Sequence, residues 1–249
     1  MAIYLTCGFP NREWTVPLAQ SIFDAGADII ELGMPFSDPL ADGPVIQAAS
    51  QSALENGITL DNYFAIAAEI STLGPTLFMG YLNSVIAIPR FLDCAQQANL
   101  CGLIIPDWPV AGESFSRLEI FAAHQNLPRI PFIAPTTTPE RMQAVDDLDA
   151  PFVYAVAVTG VTGSRAGVGA QASDYLKSVK RSLRSPLLAG FGISSPRDAA
   201  QIAEITDGVI IGSAILEGIR AANSVDEAQE FVHQFITRIR HELDKTKHL

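Results

Sequence analysis

The chain alternates short, nearly continuous apolar runs with longer stretches whose apolar residues recur every three or four positions. The runs Ile3–Thr6, Ile29–Glu31, Thr76–Met79, Gly102–Ile105, Pro131–Ile133, Phe152–Val156, Pro186–Ala189 and Gly208–Ile211 predict eight strands. Their continuous hydrophobicity is that of parallel strands buried on both faces. Between them, Trp14, Leu18, Ile22 and Phe23 mark one amphipathic helix. Phe231, Phe235, Ile239 and Leu243 mark a longer C-terminal one, opened by Asp226. Ser194–Ser195 before Pro196 is a helix start, because serine caps free N–H groups and proline is tolerated in the first turn. No Pro-, Ser- or charge-rich linker interrupts the series, so residues 1–249 read as a single domain.

Eight strand–helix units in 249 residues fit an α/β fold of the single (β/α)8 TIM barrel type, which typically needs about 250 residues. A doubly wound sheet would bring six or fewer strands and a Gly-x-Gly-x-x-Gly turn after the first. Gly8 stands alone there.

Composition narrows the function classes. Hydrophobic residues make up 48% and charged ones 17%, which excludes intrinsic disorder. Lys plus Arg number 16 against 27 Asp plus Glu, a net charge of −11 that argues against binding a nucleic-acid backbone. No apolar run approaches the roughly 20 residues of a membrane helix. The first positive charge is Arg12, unlike the basic start of a secretory leader, so a cytoplasmic protein is expected. Cys7, Cys94 and Cys101 are too few and too irregular for a disulfide framework or zinc site and read as small buried hydrophobes.

Barrel active sites are built on the loops after the strands' C-terminal ends. Gly163, Gly190, Gly192 and Gly212 fall in three such loops, and Ser213 opens the helix after the last strand. Glycine turns and helix N-termini bind anions through backbone N–H groups without lysine, so a phosphate site is expected there. Arg165 adds a nearby charge, although a plain loop arginine is its simpler role.

The ionisable inventory excludes several mechanisms. No lysine precedes Lys177, which lies in a helical stretch, so a Schiff-base aldolase lacks its nucleophile. His124, His233, His241 and His248 all fall in helical or terminal segments, away from strand ends. That removes metal clusters and Ser–His or Cys–His nucleophiles, and leaves carboxylate acid–base work. Glu31 ends a strand and points either into the mouth or to solvent, where it would be an ordinary rim residue. Asp38 and Asp42 suit turns, and Asp107 suits a loop cap.

The segment Glu31-Leu-Gly-Met-Pro-Phe-Ser-Asp-Pro-Leu-Ala-Asp-Gly-Pro-Val-Ile-Gln47 resembles the signature of the tryptophan synthase alpha chain family. The similarity continues through Thr6–Pro10, Met79–Asn83, Pro106–Pro109, Gly160–Gly163, Gly190–Pro196 and Gly212–Ile215, essentially the whole chain in order. The resemblance implies a (β/α)8 lyase cleaving indole-3-glycerol phosphate to indole and glyceraldehyde 3-phosphate. It makes Glu31 the general acid–base and Asp42 the partner of the indole N–H. It places Tyr154 beside substrate, Tyr4, Tyr81, Ile104 and Ile133 around indole, and Gly163, Gly192, Gly212 and Ser213 on phosphate. Thr162 would reach toward Asp42 on loop closure.

The same resemblance implies a beta chain partner in an alpha2-beta2 heterotetramer, facing Asp38 and Pro39. Pyridoxal phosphate would belong to that partner, with no cofactor in this chain. Two other functions fit the residues: a stand-alone indole-3-glycerol phosphate lyase, and a weakly active barrel that mainly activates its partner. Intact Glu31 and Asp42 argue against the second. Trp108 departs from the family, which usually has a smaller aliphatic residue there, and Ala157 stands where serine is common.

Overall fold

Parallel pairing runs through every strand contact of the computed structural model, which describes residues 1–109, 126–156, 170–190 and 192–246. The strands are β1 Ala2–Thr6, β2 Ile29–Gly33, β3 Thr76–Met79, β4 Leu103–Ile104, β5 Arg129–Ile130, β6 Phe132–Ile133, β7 Val153–Val156, β8 Leu187–Gly190 and β9 Gly208–Ile211. Their spatial order is β5-β4-β3-β2-β1-β9-β8-β7-β6. The first and last in that order, β5 and β6, are consecutive in the chain; β6 lies within the fifth predicted run, Pro131–Ile133, and β5 precedes it, outside the expected bounds. Pro131 divides them because it has no N–H to donate to a ladder, while its carbonyl accepts the Tyr154 N–H at 2.9 Å. With β5 paired to β4 and β6 to β7, the nine segments form the eight staves of the expected barrel.

The described helices between and after the strands are α1 Thr15–Asp24, α2 Pro44–Glu55, α3 Leu60–Ile70, α4 Leu82–Ala87, α5 Phe91–Gln97, α6 Pro139–Asp146, α7 Ala170–Ser182, α8 Pro196–Ala203, α9 Ser213–Ala221 and α10 Val225–Thr246. Local chemistry starts several of them. Ser195 accepts the Asp198 N–H and Pro196 follows it, as the sequence predicts. Thr138 caps α6 in the same way ahead of Pro139. None of the described helices is long and apolar enough to cross a membrane.

Alternation along the strands divides the apolar residues into two cores. Ala2, Leu77, Ile104, Ile130, Phe152, Leu188 and Ile210 meet inside the barrel. Ile3, Leu5, Ile30, Leu32, Phe78 and Leu103 face outward into the layer covered by helices. Each such side chain contributes about 1.5–3 kcal/mol by leaving water.

Two expectations are corrected. The buried stripe of α10 is Ala228, Val232, Ile236, Ile239 and Leu243. Phe231 and Phe235 lie beside it, stacked on each other with ring centroids 5.6 Å apart. The sequence pattern rotated the stripe because two phenylalanines outweigh an alanine and a valine in hydrophobicity. Among the cysteines only Cys7 is buried; Cys94 is half-buried and Cys101 exposed.

Phe231 occupies the space over Gly218, where an added Cβ would lie 1.8 Å from a ring carbon. Glycine to alanine inside a helix ordinarily stabilises by about 1 kcal/mol. Here the sign should invert. Gly218→Ala is expected to lose about 1–3 kcal/mol in urea unfolding through overpacking, and Phe231→Ala in the same chain should abolish that specific penalty.

Candidate active site

Glu31 sits on β2 opposite Tyr4 of β1 and Leu77 of β3, and the pleat turns all three toward the barrel interior. Its exposure is 0%, which disposes of the solvated-rim role. Neither carboxyl oxygen has a hydrogen-bond partner within the described structure. Burial without compensation disfavours the charged form and pushes the pKa up to about 8, so Glu31 is mainly a neutral acid at pH 7.

Two tyrosines crowd the same end of the lumen, each given room by a glycine. A Cβ on Gly33 would lie 2.2 Å from the Tyr4 hydroxyl, and one on Gly190 would lie 2.8 Å from that of Tyr154. Gly190 therefore makes space for Tyr154, and it also borders the cavity that Gly192, Gly212 and Ser213 line. Thr6 donates a hydrogen bond to the Tyr4 oxygen at 3.3 Å. Phe132 stacks on Tyr154 at 4.7 Å. Burial first, and then the neighbouring carboxylates, raise both phenol pKa values, so both hydroxyls keep their protons.

Asp42 is held in the loop between β2 and α2. Its N–H donates to the Pro39 carbonyl at 3.1 Å, and Gln47 donates to its own carbonyl at 2.9 Å. The side chain does more than make a turn, because its Oδ2 accepts the Tyr81 hydroxyl at 3.0 Å. The Ala41 N–H donates to that same hydroxyl at 2.9 Å, and Phe36 stacks on the ring at 5.2 Å. Burial raises the Asp42 pKa, and the Tyr81 hydrogen bond partly offsets it. Tyr81 thus holds Asp42, where an indole-lining role was expected. Asp107 accepts the Leu82 N–H at 2.8 Å and caps α4, as the simpler reading of it required.

Two cavities open at this end of the barrel and share Ile46, Met79 and Tyr154. The larger, about 610 Å³, reaches Asp42, Phe132, Ile133, Thr137 and Arg141. The smaller, about 290 Å³, is bounded by Tyr4, Gly192, Gly212, Ser213 and Ala214. Glu31 and Tyr81 line neither, and Ile104 lies fully buried in the lumen core. At the smaller cavity α9 begins at Ser213 with Gly212 as a cap that offers no side-chain hydrogen bond. The first N–H groups of a helix have no partner of their own. Gly192 adopts φ +62°, a conformation that favours glycine, and open space lies where its Cβ would be. The structure thus gathers Gly192, Gly212 and Ser213 around one cavity. Thr162, Gly163, Arg165 and Ala157 lie outside the described residues.

Thr137 and Arg141 went unrecognised in the sequence. The signal was the rim rule itself, applied to the loop after the fifth strand, where Ala134–Thr138 precede α6. Outside the mouth, a groove of about 560 Å³ is bounded by Phe36, Asp38, Pro39, Leu40 and Gln47. Leu40 is 92% exposed on it. Trp108 is buried with Arg129 over its ring at 4.6 Å. Among the described residues, no group of three or more His, Cys, Asp or Glu side chains is placed to hold a metal ion.

Comparison with known proteins agrees with this geometry. The family model of the tryptophan synthase alpha chain matches residues 1–247. The tryptophan synthase alpha chain of Chloroflexus aurantiacus is 41% identical over 244 residues, covering 95% of this chain and 91% of the relative. That of Chloroflexus aggregans is 40% identical over 242 residues, with 94% and 90% covered. The crystal structure of a tryptophan synthase alpha chain from Legionella pneumophila superimposes with a TM-score of 0.87 at 30% identity, covering 98% of this chain and 91% of that one. A Mycobacterium tuberculosis tryptophan synthase structure gives 0.85 at 31% identity, with 97% and 91% covered.

The Glu31 environment makes a pH prediction. Its folded pKa of about 8 lies above the ordinary glutamate value of 4.5, so the folded state binds the proton more tightly than the unfolded one. This group's contribution is therefore most favourable below pH 4.5 and declines as pH rises to about 8. The decline is on the order of 5 kcal/mol. Glu31→Gln should remove that part of the slope, read from urea midpoints between pH 5 and pH 9; an identical slope in both chains would refute the buried-acid assignment.

Proposed function

The chain belongs to the tryptophan synthase alpha chain family and is a lyase of the alpha reaction, and we propose that Glu31 and Asp42 carry that chemistry at the barrel mouth. The reaction divides indole-3-glycerol phosphate into indole and glyceraldehyde 3-phosphate. Carbon–carbon cleavage needs a proton delivered to indole C3, positive charge steadied on the ring nitrogen, and a proton removed from the glycerol hydroxyl. The observation that carries the assignment is the contrast between two carboxyl environments. Glu31 is buried, unpartnered and mainly protonated at pH 7, as a general acid should be. Asp42 is half-buried, borders the larger cavity and is oriented by Tyr81, as suits an acceptor for the indole N–H.

In this reading the proton of Glu31 goes to C3, and the bond to the glycerol carbon breaks with its electrons returning to the ring. The resulting Glu31 carboxylate takes the hydroxyl proton, which leaves an aldehyde and restores the acid. Glu31 lines neither cavity, so it must turn toward the mouth to meet substrate. Tyr154 and Tyr4 pack against the substrate. Ser213 and the backbone at Gly192 and Gly212 receive the phosphate, with helix α9 supplying its positive end. Gly163 and Thr162 complete the phosphate and closure roles by the family resemblance alone.

The alpha family does not itself bind pyridoxal phosphate. We assign that cofactor to a beta chain partner, which the family implies, in an alpha2-beta2 assembly docked over Asp38, Pro39 and the exposed Leu40. Asp38 and Pro39 precede Asp42 by four and three residues, so contact there acts on the carboxylate through a very short segment.

Two measurements test this. Glu31→Gln should lower kcat on indole-3-glycerol phosphate by about 10²–10⁴-fold and leave KM within a fewfold; near-normal turnover in the folded variant would remove Glu31 from the mechanism. Asp38→Ala should reduce activation by an added beta subunit more than the basal rate. If the isolated chain is already fast and beta subunit changes nothing, the stand-alone lyase is the correct function.

A further inference from the structure

The smaller cavity contains a feature that phosphate binding does not call for. Besides Gly192, Gly212 and Ser213, its lining includes Glu217, an exposed residue one turn along α9. Lysine and arginine are absent from the described residues lining it. Ser194 also borders the cavity, yet its N–H and hydroxyl both donate to Asp198, at 3.3 and 3.2 Å. An anion there would meet the N–H groups of the α9 start and the glycine turns, with an acidic residue among the same lining. Arg141, the one cation among the described lining residues of both cavities, belongs to the other cavity.

We propose that Glu217 is a specificity-determining residue that sets how tightly the cradle holds the phosphate group. This rests on the phosphate reading above. A phosphate monoester carries about −1.5 to −2 charges at pH 7. Among the described residues only dipoles attract it, and an acidic residue in the same lining subtracts from that attraction. The cradle thereby holds the phosphate end weakly, so discrimination among phosphate esters shifts to the indole end of the site. The three-carbon phosphate product, which has lost its ring, is held by the weakened cradle alone and leaves readily.

The charge series Glu217→Gln and Glu217→Lys tests the proposal, since both keep an exposed helical side chain of similar length. Glu217→Gln should lower KM for indole-3-glycerol phosphate, and the inhibition constant of inorganic phosphate, by about fivefold, the scale of one charge–charge contact in water. Glu217→Lys should lower both again by a similar factor, with kcat changed far less than KM. A structural role would not improve binding in order of charge. In parallel, the amide resonances of Gly192, Gly212 and Ser213 are followed while inorganic phosphate is titrated into each chain. Shifts that saturate at lower phosphate in the Gln and Lys chains support the proposal. Shifts that saturate at the same concentration in all three chains overturn it and leave the phosphate reading standing. If these amides do not respond in any chain, the phosphate reading fails and the inference with it.

Discussion

Closing eight parallel staves into a ring forces every second strand residue into a narrow lumen, and the rest of the molecule follows from what can be placed there. Below the mouth the solution is apolar: Leu77, Ile104, Ile130, Leu188 and Ile210 fill the interior. At the mouth the inward positions of β1, β2 and β7 hold Tyr4, Glu31 and Tyr154, too much volume unless neighbouring positions give way. Gly33 yields to Tyr4 and Gly190 to Tyr154. These glycines are therefore packing elements, and the site's shape is set where side chains are missing as much as where they are present. The Pro131 break belongs to the same constraint, since it lets one stave satisfy β4 with its first half and β7 with its second.

Burying a carboxyl group without hydrogen bonds is costly, and the protein limits the cost by keeping it protonated. That choice supplies the proton that the proposed mechanism uses. A carboxylate paired with arginine, such as Asp146 with Arg184, is also buried, but the Arg184 side chain and the Arg184 and Ser185 N–H groups overcome burial and keep its pKa low. Such a group is structural and has no proton to give at pH 7. Glu31 differs in having nothing to stabilise its charge, while Asp42 has a single phenol. Two carboxyl groups near one cavity wall thereby acquire distinct tendencies from their surroundings alone.

The barrel was legible from the sequence because parallel strands buried on both faces leave short apolar runs that few other elements imitate. Seven of the eight runs appear as single strands within a residue or two of their expected bounds, and the fifth, expected from Pro131 on, is preceded by a further segment, Arg129–Ile130, on the other side of the proline. Glu31 stood out as a candidate because a carboxylate at a strand end is conspicuous in so apolar a chain, whereas Asp42 reads as turn chemistry and became a candidate only through the family resemblance. What the sequence could not reveal was pairing across the mouth. Nothing local to Tyr81 says that it holds Asp42 from 39 residues away, nor that Gly190 is shaped by Tyr154. The stripe on α10 was misread because hydrophobicity of single residues was counted and their fit against neighbouring helices was not visible. Thr137 and Arg141 were missed for a simpler reason: attention went to glycine and acid residues, and the loop after the fifth stave has neither.

The loop after β2 places opposed demands on a very short segment. Leu40 is 92% exposed on an outer groove, while Asp42, two residues on, borders the larger cavity with its carboxyl held by Tyr81. A side chain that apolar and that exposed is costly in water and becomes favourable once covered. The segment is too short to absorb a displacement, since Leu40 and Asp42 donate backbone hydrogen bonds to Asp38 and Pro39 within one turn. A chain that covers Leu40 therefore acts on the position of the Asp42 carboxyl. Linkage makes the effect reciprocal: substrate that orders Asp42 must strengthen the hold on Leu40 by the same factor. Communication between this barrel and a partner then needs no long pathway, because the two surfaces are opposite sides of one turn.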